Sequence, residues 1–216
     1  MAECIAVDIA GERMHLLADR ALFWPARGRL LIADLHLGKG DVFRAAGIAL
    51  PSGGTAHDLA RLDRLIDATA ARELWILGDL LHGATHHARW REGWDRWRSA
   101  HAGLRIAALR GNHDRHRDDA ALDIDALGES VAEDGLLLRH EPLPDPAHHV
   151  IAGHLHPALR LPGIHRALPG FWLRPGLTVL PAFSAFTGGQ IVERDRDDRF
   201  AVCAGGHVEL VSFGVD

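Results

Sequence analysis

The stretch Arg29-Leu30-Leu31-Ile32-Ala33-Asp34-Leu35-His36-Leu37 decides how this chain is read. Leu30 to Ala33 carry no polar side chain, which is the pattern of a strand covered on both faces. The run then stops on an acid and an imidazole. In extended chain Asp34 and His36 point to the same side. Such a pair is half of a metal site, and equally the makings of a local polar cap. What the rest of the chain adds decides between the two.

Further apolar runs end in the same kind of residue. Glu73 to Leu77 leads into Gly78-Asp79, and Leu104 to Leu109 leads into Gly111-Asn112-His113-Asp114. A hairpin from Ser130–Ala132 and Leu136–Arg139 delivers His140, and the strand His149 to Ala152 ends in Gly153-His154-Leu155-His156. Taken singly, each is an ordinary capped turn. Their order, their placement at strand ends and the glycines before Asp79, Asn112 and His154 make coincidence a poor account. Glycine lets the backbone turn sharply and come close to a neighbour.

Between these runs, Cys4–Asp8 and Arg13–Leu17 flank Gly11 as a hairpin. Thr55 is placed to cap a helix reaching about Ala71, with Leu59, Leu62, Leu65 and Ile66 at helical spacing. Ala88 to Ala102 reads as a helix with Trp90, Trp94 and Trp97 on one stripe. The tail, with apolar runs at Phe171–Leu173, Leu177–Leu180, Phe200–Cys203 and Val208–Val211, is mostly strand. No repeat or linker interrupts 1–216, so one domain is expected, α/β in class.

At 216 residues, 47% of them hydrophobic, the chain is long enough for one well-cored unit. No run spans a bilayer and no leader follows Met1, so a cytoplasmic protein is expected. Cys4 and Cys203 suit that compartment as isolated buried thiols better than as a disulfide. The net charge of −5 gives no overall basic field to attract a nucleic acid. The 16 histidines raise the prospect of metal or acid–base chemistry, and the lack of tyrosine excludes a phenolic nucleophile.

The ordered set D-x-H, G-D, G-N-H-D, H and G-H-x-H, from Asp34 to His156, resembles the calcineurin-like metallophosphoesterase superfamily. The resemblance implies a four-layer α-β-β-α sandwich, with two facing mixed β-sheets flanked by helices and the motif loops at one edge. It implies that Asp34, His36 and His156 hold one metal ion, that Asn112, His140 and His154 hold a second, and that Asp79 bridges both. His113 is implied to sit over the substrate phosphate. Two divalent ions share a hydroxide whose pKa falls toward about 7, and that hydroxide attacks phosphorus in line. His113 is then the candidate acid for the leaving oxygen, with Asp114 either fixing its tautomer or capping the segment that follows. A nitrogen and oxygen donor set without thiolate suits Mn²⁺ first, with Fe or Zn²⁺ as alternatives.

Within the superfamily, the arginine that protein phosphatases carry in G-D-x-x-D-R-G is missing after Gly78-Asp79-Leu80-Leu81-His82-Gly83. The chain more closely resembles the bacterial ligase-associated DNA-damage-response endonucleases. The matching stretches are Ala33 to Gly40, Phe43-Arg44, Gly47 with Pro51 and Gly54, Gly153 to Pro157, and Leu180 to Gly189. That resemblance implies a Mn²⁺-dependent phosphodiesterase cutting single-stranded DNA or flaps in repair, with DNA ligase, helicase and exonuclease-like proteins as partners. Lys39, Arg44, Arg110 and Arg115, with Arg117, are placed to meet flanking phosphates or to be plain solvated charge. The stretch Arg89 to Arg98 mixes tryptophan with arginine, but tryptophans packed on a sheet are the better reading. His82, His86 and His87 are substrate contacts or exposed loop histidines. Two other functions stay open: a small-molecule phosphoesterase for nucleotides or cyclic nucleotides, and an interaction module docking on repair proteins.

Overall fold

The computed structural model describes residues 3–48, 53–82, 90–115, 117–193 and 195–211. Its first sheet contains β1 (Cys4–Ile9), β2 (Glu12–Leu17), β3 (Ala21–Trp24), β4 (Arg29–Ile32), β5 (Glu73–Ile76), β6 (Arg105–Ala108) and β7 (Asp125–Ala126), side by side in chain order. Its second contains β8 (Ser130–Glu133), β9 (Leu136–Arg139), β10 (His149–Ala152), β11 (Pro157–Leu159), β12 (Leu168–Arg174), β13 (Leu177–Val179), β14 (Gln190–Ile191), β15 (Arg199–Ala204) and β16 (His207–Val211). The helices are α1 (Lys39–Ala45), α2 (Gly54–Thr69), α3 (Trp90–Ala100) and the single turn α4 (Asp119–Leu122).

Both sheets are mixed. The first is antiparallel from β1 to β4 and parallel from β4 to β7. In the second, β9, β10 and β13 run parallel, and β8, β12, β15 and β16 pair antiparallel. The side-chain period of two divides each strand between two cores. Leu30, Ile32, Leu74 and Ile76 face the helices, where they meet Leu59, Leu62, Trp94 and Trp97. Leu31, Ala33, Trp75 and Leu77 face the other sheet, against Leu138, Ile151, Phe171 and Leu180. The two facing mixed sheets with helices outside are the expected architecture. All described helices lie before residue 123; the outer side chains of the second sheet, among them Val150, Trp172 and Phe200, close on Leu159, Val192 and Leu161 instead.

Parallel pairing in register is what places the site. Ile32 pairs with Ile76, and Ile76 with Ala108, so the three strands end level at one edge. Asp34, Asp79 and Asn112 follow those ends. On the second sheet Leu138 pairs with Ile151, which brings His140 and His154 to matching ends of β9 and β10. The sheets meet at this edge, where Ala33 bridges Ala182 and Phe183 N–H donates to the Ala33 carbonyl at 2.8 Å.

Some local expectations need correction. Thr55 does not cap α2: Gly53, in the left-handed region at φ 94°, takes that place, and Gly54 begins the helix with the Phe186 ring against its Cα. Cys4 is exposed rather than buried; both thiols are free, and burial pushes Cys203 up to about 12. The tryptophans are core, at 6%, 0% and 7% exposure for Trp90, Trp94 and Trp97. No helix among the described residues is long and apolar enough to cross a membrane.

An ion pair in α2 holds the edge segment. Asp58 and Arg61 are 3% and 5% exposed, and Arg61 Nη1 donates to Asp58 Oδ1 at 3.0 Å and to the Phe183 carbonyl at 2.7 Å. Asp58 also accepts from Ala185 N–H at 3.2 Å. Breaking a buried pair strands the surviving charge in low dielectric. Arg61→Ala is therefore expected to lower stability by about 3–5 kcal/mol in urea unfolding. Asp58→Leu with Arg61→Met is expected to recover much of that loss; a single variant costing under about 1 kcal/mol would mean the pair holds nothing.

Candidate metal centre

Five of the seven candidate ligands sit in an unusual backbone state. Asp34, His36, Asp79, His154 and His156 all have positive φ, between 49° and 72°. An L-residue pays for that conformation, so surrounding contacts must enforce it. Here the strand ladder continues past the strand ends: Asp34 N–H donates to Gly78 O, His36 N–H to Asp79 O and Leu37 N–H to Leu80 O, at 3.2, 2.9 and 2.8 Å. A methyl at Gly78 would overlap the His140 ring, and one at Gly111 would overlap Asp79, so the glycines flagged in the sequence are where backbone and side chain must touch.

The candidates gather into two groups, Asp34 with His36 and His156, and Asp79 with His140 and His154. Asn112 joins the second: its Oδ1 lies 3.0 Å from His140 Nε2 and 3.1 Å from His154 Nδ1. In each carboxylate one oxygen is held and the other is aimed inward. Asp34 Oδ2 accepts from His154 N–H at 3.0 Å and Asp79 Oδ1 from His113 N–H at 2.9 Å. Asp79 Oδ2 lies 3.5 Å from His140 Nε2, and Asp34 Oδ1 lies 3.3 Å from His156 Nε2.

The donor atoms themselves test whether divalent ions fit. Asp34 Oδ1, His36 Nδ1 and His156 Nε2 are buried without a hydrogen-bond partner, an arrangement that is costly unless a cation fills it. In the second group, His140 Nδ1 donates to the Leu77 carbonyl at 2.8 Å. That leaves Nε2 facing Asn112 Oδ1 and Asp79 Oδ2, as a donor while the ring is protonated and as a ligand atom once that proton is displaced. With the proton gone, the converging acceptors fit a metal ion. Burial, with the charge of Lys39, lowers His36 to about 3, so it stays neutral and able to ligate. Burial alone would raise Asp79, but its hydrogen bond and charge interaction with His140 bring it down to about 2. Against the opposing effect of burial, the same contact lifts His140 to about 8.

The remaining candidates divide. The His113 side chain is 42% exposed, with Nε2 4.0 Å from Asp79 Oδ2. Its ring stacks on His82 at 5.1 Å, and His82 stacks on Phe43 at 5.9 Å. His82 is thus part of the site wall and half-buried, where the sequence left an exposed loop histidine equally open; His86, His87 and Arg89 lie outside the described residues. Lys39 is half-buried, donates to Thr187 Oγ1 at 3.0 Å, and burial lowers its pKa. Arg44 pairs with Asp41, and Arg110 and Arg115 are exposed beside the Asn112 loop.

Asp114 and Arg117 are corrections. Asp114 does not orient the His113 ring. Its Oδ1 accepts from Leu81 N–H at 3.0 Å and its Oδ2 from Gly111 N–H at 3.0 Å and Arg117 Nη1 at 2.8 Å. Nor does it cap a helix, a place Asp118 takes for α4. Arg117 points inward to the Leu109 carbonyl and to Asp114, away from any phosphate. The pair ties the loop after Asp79 to the loop after β6, because the N–H groups of Leu81 and Gly111 are buried and need acceptors.

A cleft of about 490 Å³ runs from His36 between α1, α2 and α3, with Lys39, Arg44, Trp90, Arg96 and Phe186 on its walls.

The family model for calcineurin-like phosphoesterases matches residues 29–141. The crystal structure of Pseudomonas putida nuclease MPE is 37% identical, covering 97% of this chain and 100% of that one, with a TM-score of 0.85. The phosphoesterase Yfce from E. coli is 17% identical over 85% of this chain and 97% of that one, with a TM-score of 0.48. No curated protein matches.

Because His140 is raised to about 8 in the metal-free protein, it carries a proton at neutral pH that a metal ion must displace. Affinity for a divalent ion is therefore expected to rise with pH up to about 8 and to level off above it. Isothermal titration in buffers of different ionisation heat would read the released proton; affinity independent of pH between about 6 and 8 would contradict this.

Proposed function

The chain belongs to the calcineurin-like phosphoesterase family, and from that premise we propose that it is a Mn²⁺-dependent phosphodiesterase that cuts DNA internally, on single strands or flaps, in cytoplasmic DNA repair. The observation that carries the reading is the 37% identity, spread over 97% of the chain, to a protein described as a nuclease. The open cleft beside the metal centre supports it, since a polymer must enter and leave along a groove. DNA ligase, helicase and exonuclease-like repair proteins are the partners that go with this role.

Asp34, His36 and His156 would hold one ion, and Asn112, His140 and His154 a second, with Asp79 at both. Bound there, divalent ions supply Lewis acidity to the phosphoryl oxygens and acidify water. The chain's own residues do the rest. The backbone N–H groups of His154 and His113 fix the carboxylates, so no reorganisation is needed as charge develops. His113, exposed next to Asp79, is placed to hand a proton from its ring to the leaving oxygen. Lys39 stands at the start of the cleft, and Arg110 and Arg115 beside the Asn112 loop, where each meets a neighbouring phosphate. The buried tryptophans contribute edges to the cleft wall and no free stacking platform.

Purified protein with Mn²⁺ is expected to nick circular single-stranded DNA while leaving a panel of nucleotides and cyclic nucleotides intact. Asp79→Ala or His140→Ala is expected to abolish nicking, and a wild-type rate from either would sink the two-metal reading. Nucleotide hydrolysis with intact circles would point to the small-molecule phosphoesterase instead. His113→Ala is expected to slow esters with poor leaving groups most, by about 10²–10⁴-fold, and good ones least. Equal losses for both would remove His113 as the acid.

A further inference from the structure

A smaller pocket, of about 250 Å³, opens elsewhere on the molecule, and its lining includes none of the candidate metal ligands. Its walls are the β2–β3 turn with Asp19 and Arg20, the flank of α2 with Arg61 and Arg64, the segment before β12 with Arg166, and the β15–β16 turn. Four guanidinium groups and one carboxylate line it, on a chain whose net charge is −5. The concentration of positive charge is therefore local.

These cations are unequally occupied. Arg61 is fully used: it donates to Asp58, to the Asp19 and Phe183 carbonyls, and to Asp19 Oδ1. Arg20 is half-buried, yet among the described residues no carboxylate lies within ion-pair distance of it, and its Nη1 reaches only the Ala182 and Ser184 carbonyls, both at 3.4 Å. Burial and the charge of Arg61 push its pKa down, and the opposing charges of Asp58 and Asp19 do not offset them. Among the described residues Arg64 donates to the Ala60 carbonyl in its own helix, at 3.2 Å, and pairs with no carboxylate. Arg166 is exposed. A half-buried guanidinium with weak acceptors, flanked by two more with donors to spare, lacks an anion with several oxygens.

We propose that this pocket binds an oxyanion of the phosphate class, held by Arg20, Arg64 and Arg166. It does not depend on the reading of the metal centre, although the two are joined. Arg20 holds the carbonyls of Ala182 and Ser184, and Ser184 N–H donates to the Asp34 carbonyl at 3.2 Å. An anion drawing on Arg20 bears on the segment that supports Asp34. The same chemistry is offered by free phosphate and by a phosphodiester of a polynucleotide bound across the surface.

Chelator-treated protein, in which no metal can hold phosphate, is titrated with inorganic phosphate by calorimetry. The wild type is expected to bind at millimolar concentration. Arg64→Gln with Arg166→Gln, both on the surface, is expected to weaken binding about tenfold, and Arg20→Gln alone by a similar factor. A single-stranded oligonucleotide distinguishes the source: if it occupies the pocket, the double variant reduces the salt dependence of its binding by about one to two phosphate contacts. An unchanged slope assigns the pocket to a free anion. No phosphate binding by the wild type, or the same binding by wild type, double variant and Arg20→Gln, would overturn the proposal.

Discussion

Two carboxylates buried where the sheets meet are the constraint on which the rest depends. Asp34 is 0% and Asp79 2% exposed, and each has only one oxygen satisfied by a backbone N–H. Burying even one unpaired carboxylate costs several kcal/mol. A fold that keeps two at one edge, both facing imidazole nitrogens, is arranged around positive charge that it does not itself fully supply. The left-handed residues, the overlapping glycines and the extended ladder between the strand-exit loops are the means of holding those groups in place. They are also why the donors are fixed by backbone rather than by long flexible side chains.

That arrangement explains why the site was legible in the sequence. Its residues fall where an apolar period-two run stops, and β4, β5, β6 and β10 are the runs most sharply marked. Register then does what sequence cannot state directly: Ile32, Ile76 and Ala108 lie level, so residues distant in the chain become neighbours. The short strands β11 and β14 escaped notice because three and two residues carry no alternation to read.

The departures at Asp114 and Arg117 share one physical cause. Asp114 and Arg117 lie next to the motif and look available, but buried N–H groups of Leu81 and Gly111 claim the acid, and the acid claims the arginine. Charge in a sequence does not reveal which tertiary donor it will meet. Asp58 is the exception, since its position alone signals a partner. On the helical wheel of α2 it falls inside the stripe of Leu59, Leu62 and Leu65, where an acid requires a buried partner, and Arg61 is one turn away.

The negative total charge is no obstacle to a phosphodiester substrate. At physiological salt, charges beyond about 8 Å are largely screened, so what a phosphate feels near the centre is the local set. That set is Lys39, Arg110 and Arg115, with any ions bound at Asp34 and Asp79, rather than the net charge of −5. Many of them are already matched: Asp41 with Arg44, Glu73 with Arg29 and Arg105, Asp198 with Arg174. A matched pair has little far field. The positive charges without a carboxylate partner among the described residues are therefore the ones that act on an approaching polyanion, and of these Lys39 lies in the cleft beside His36 while Arg20, Arg64 and Arg166 line the arginine pocket beneath the segment that supports Asp34.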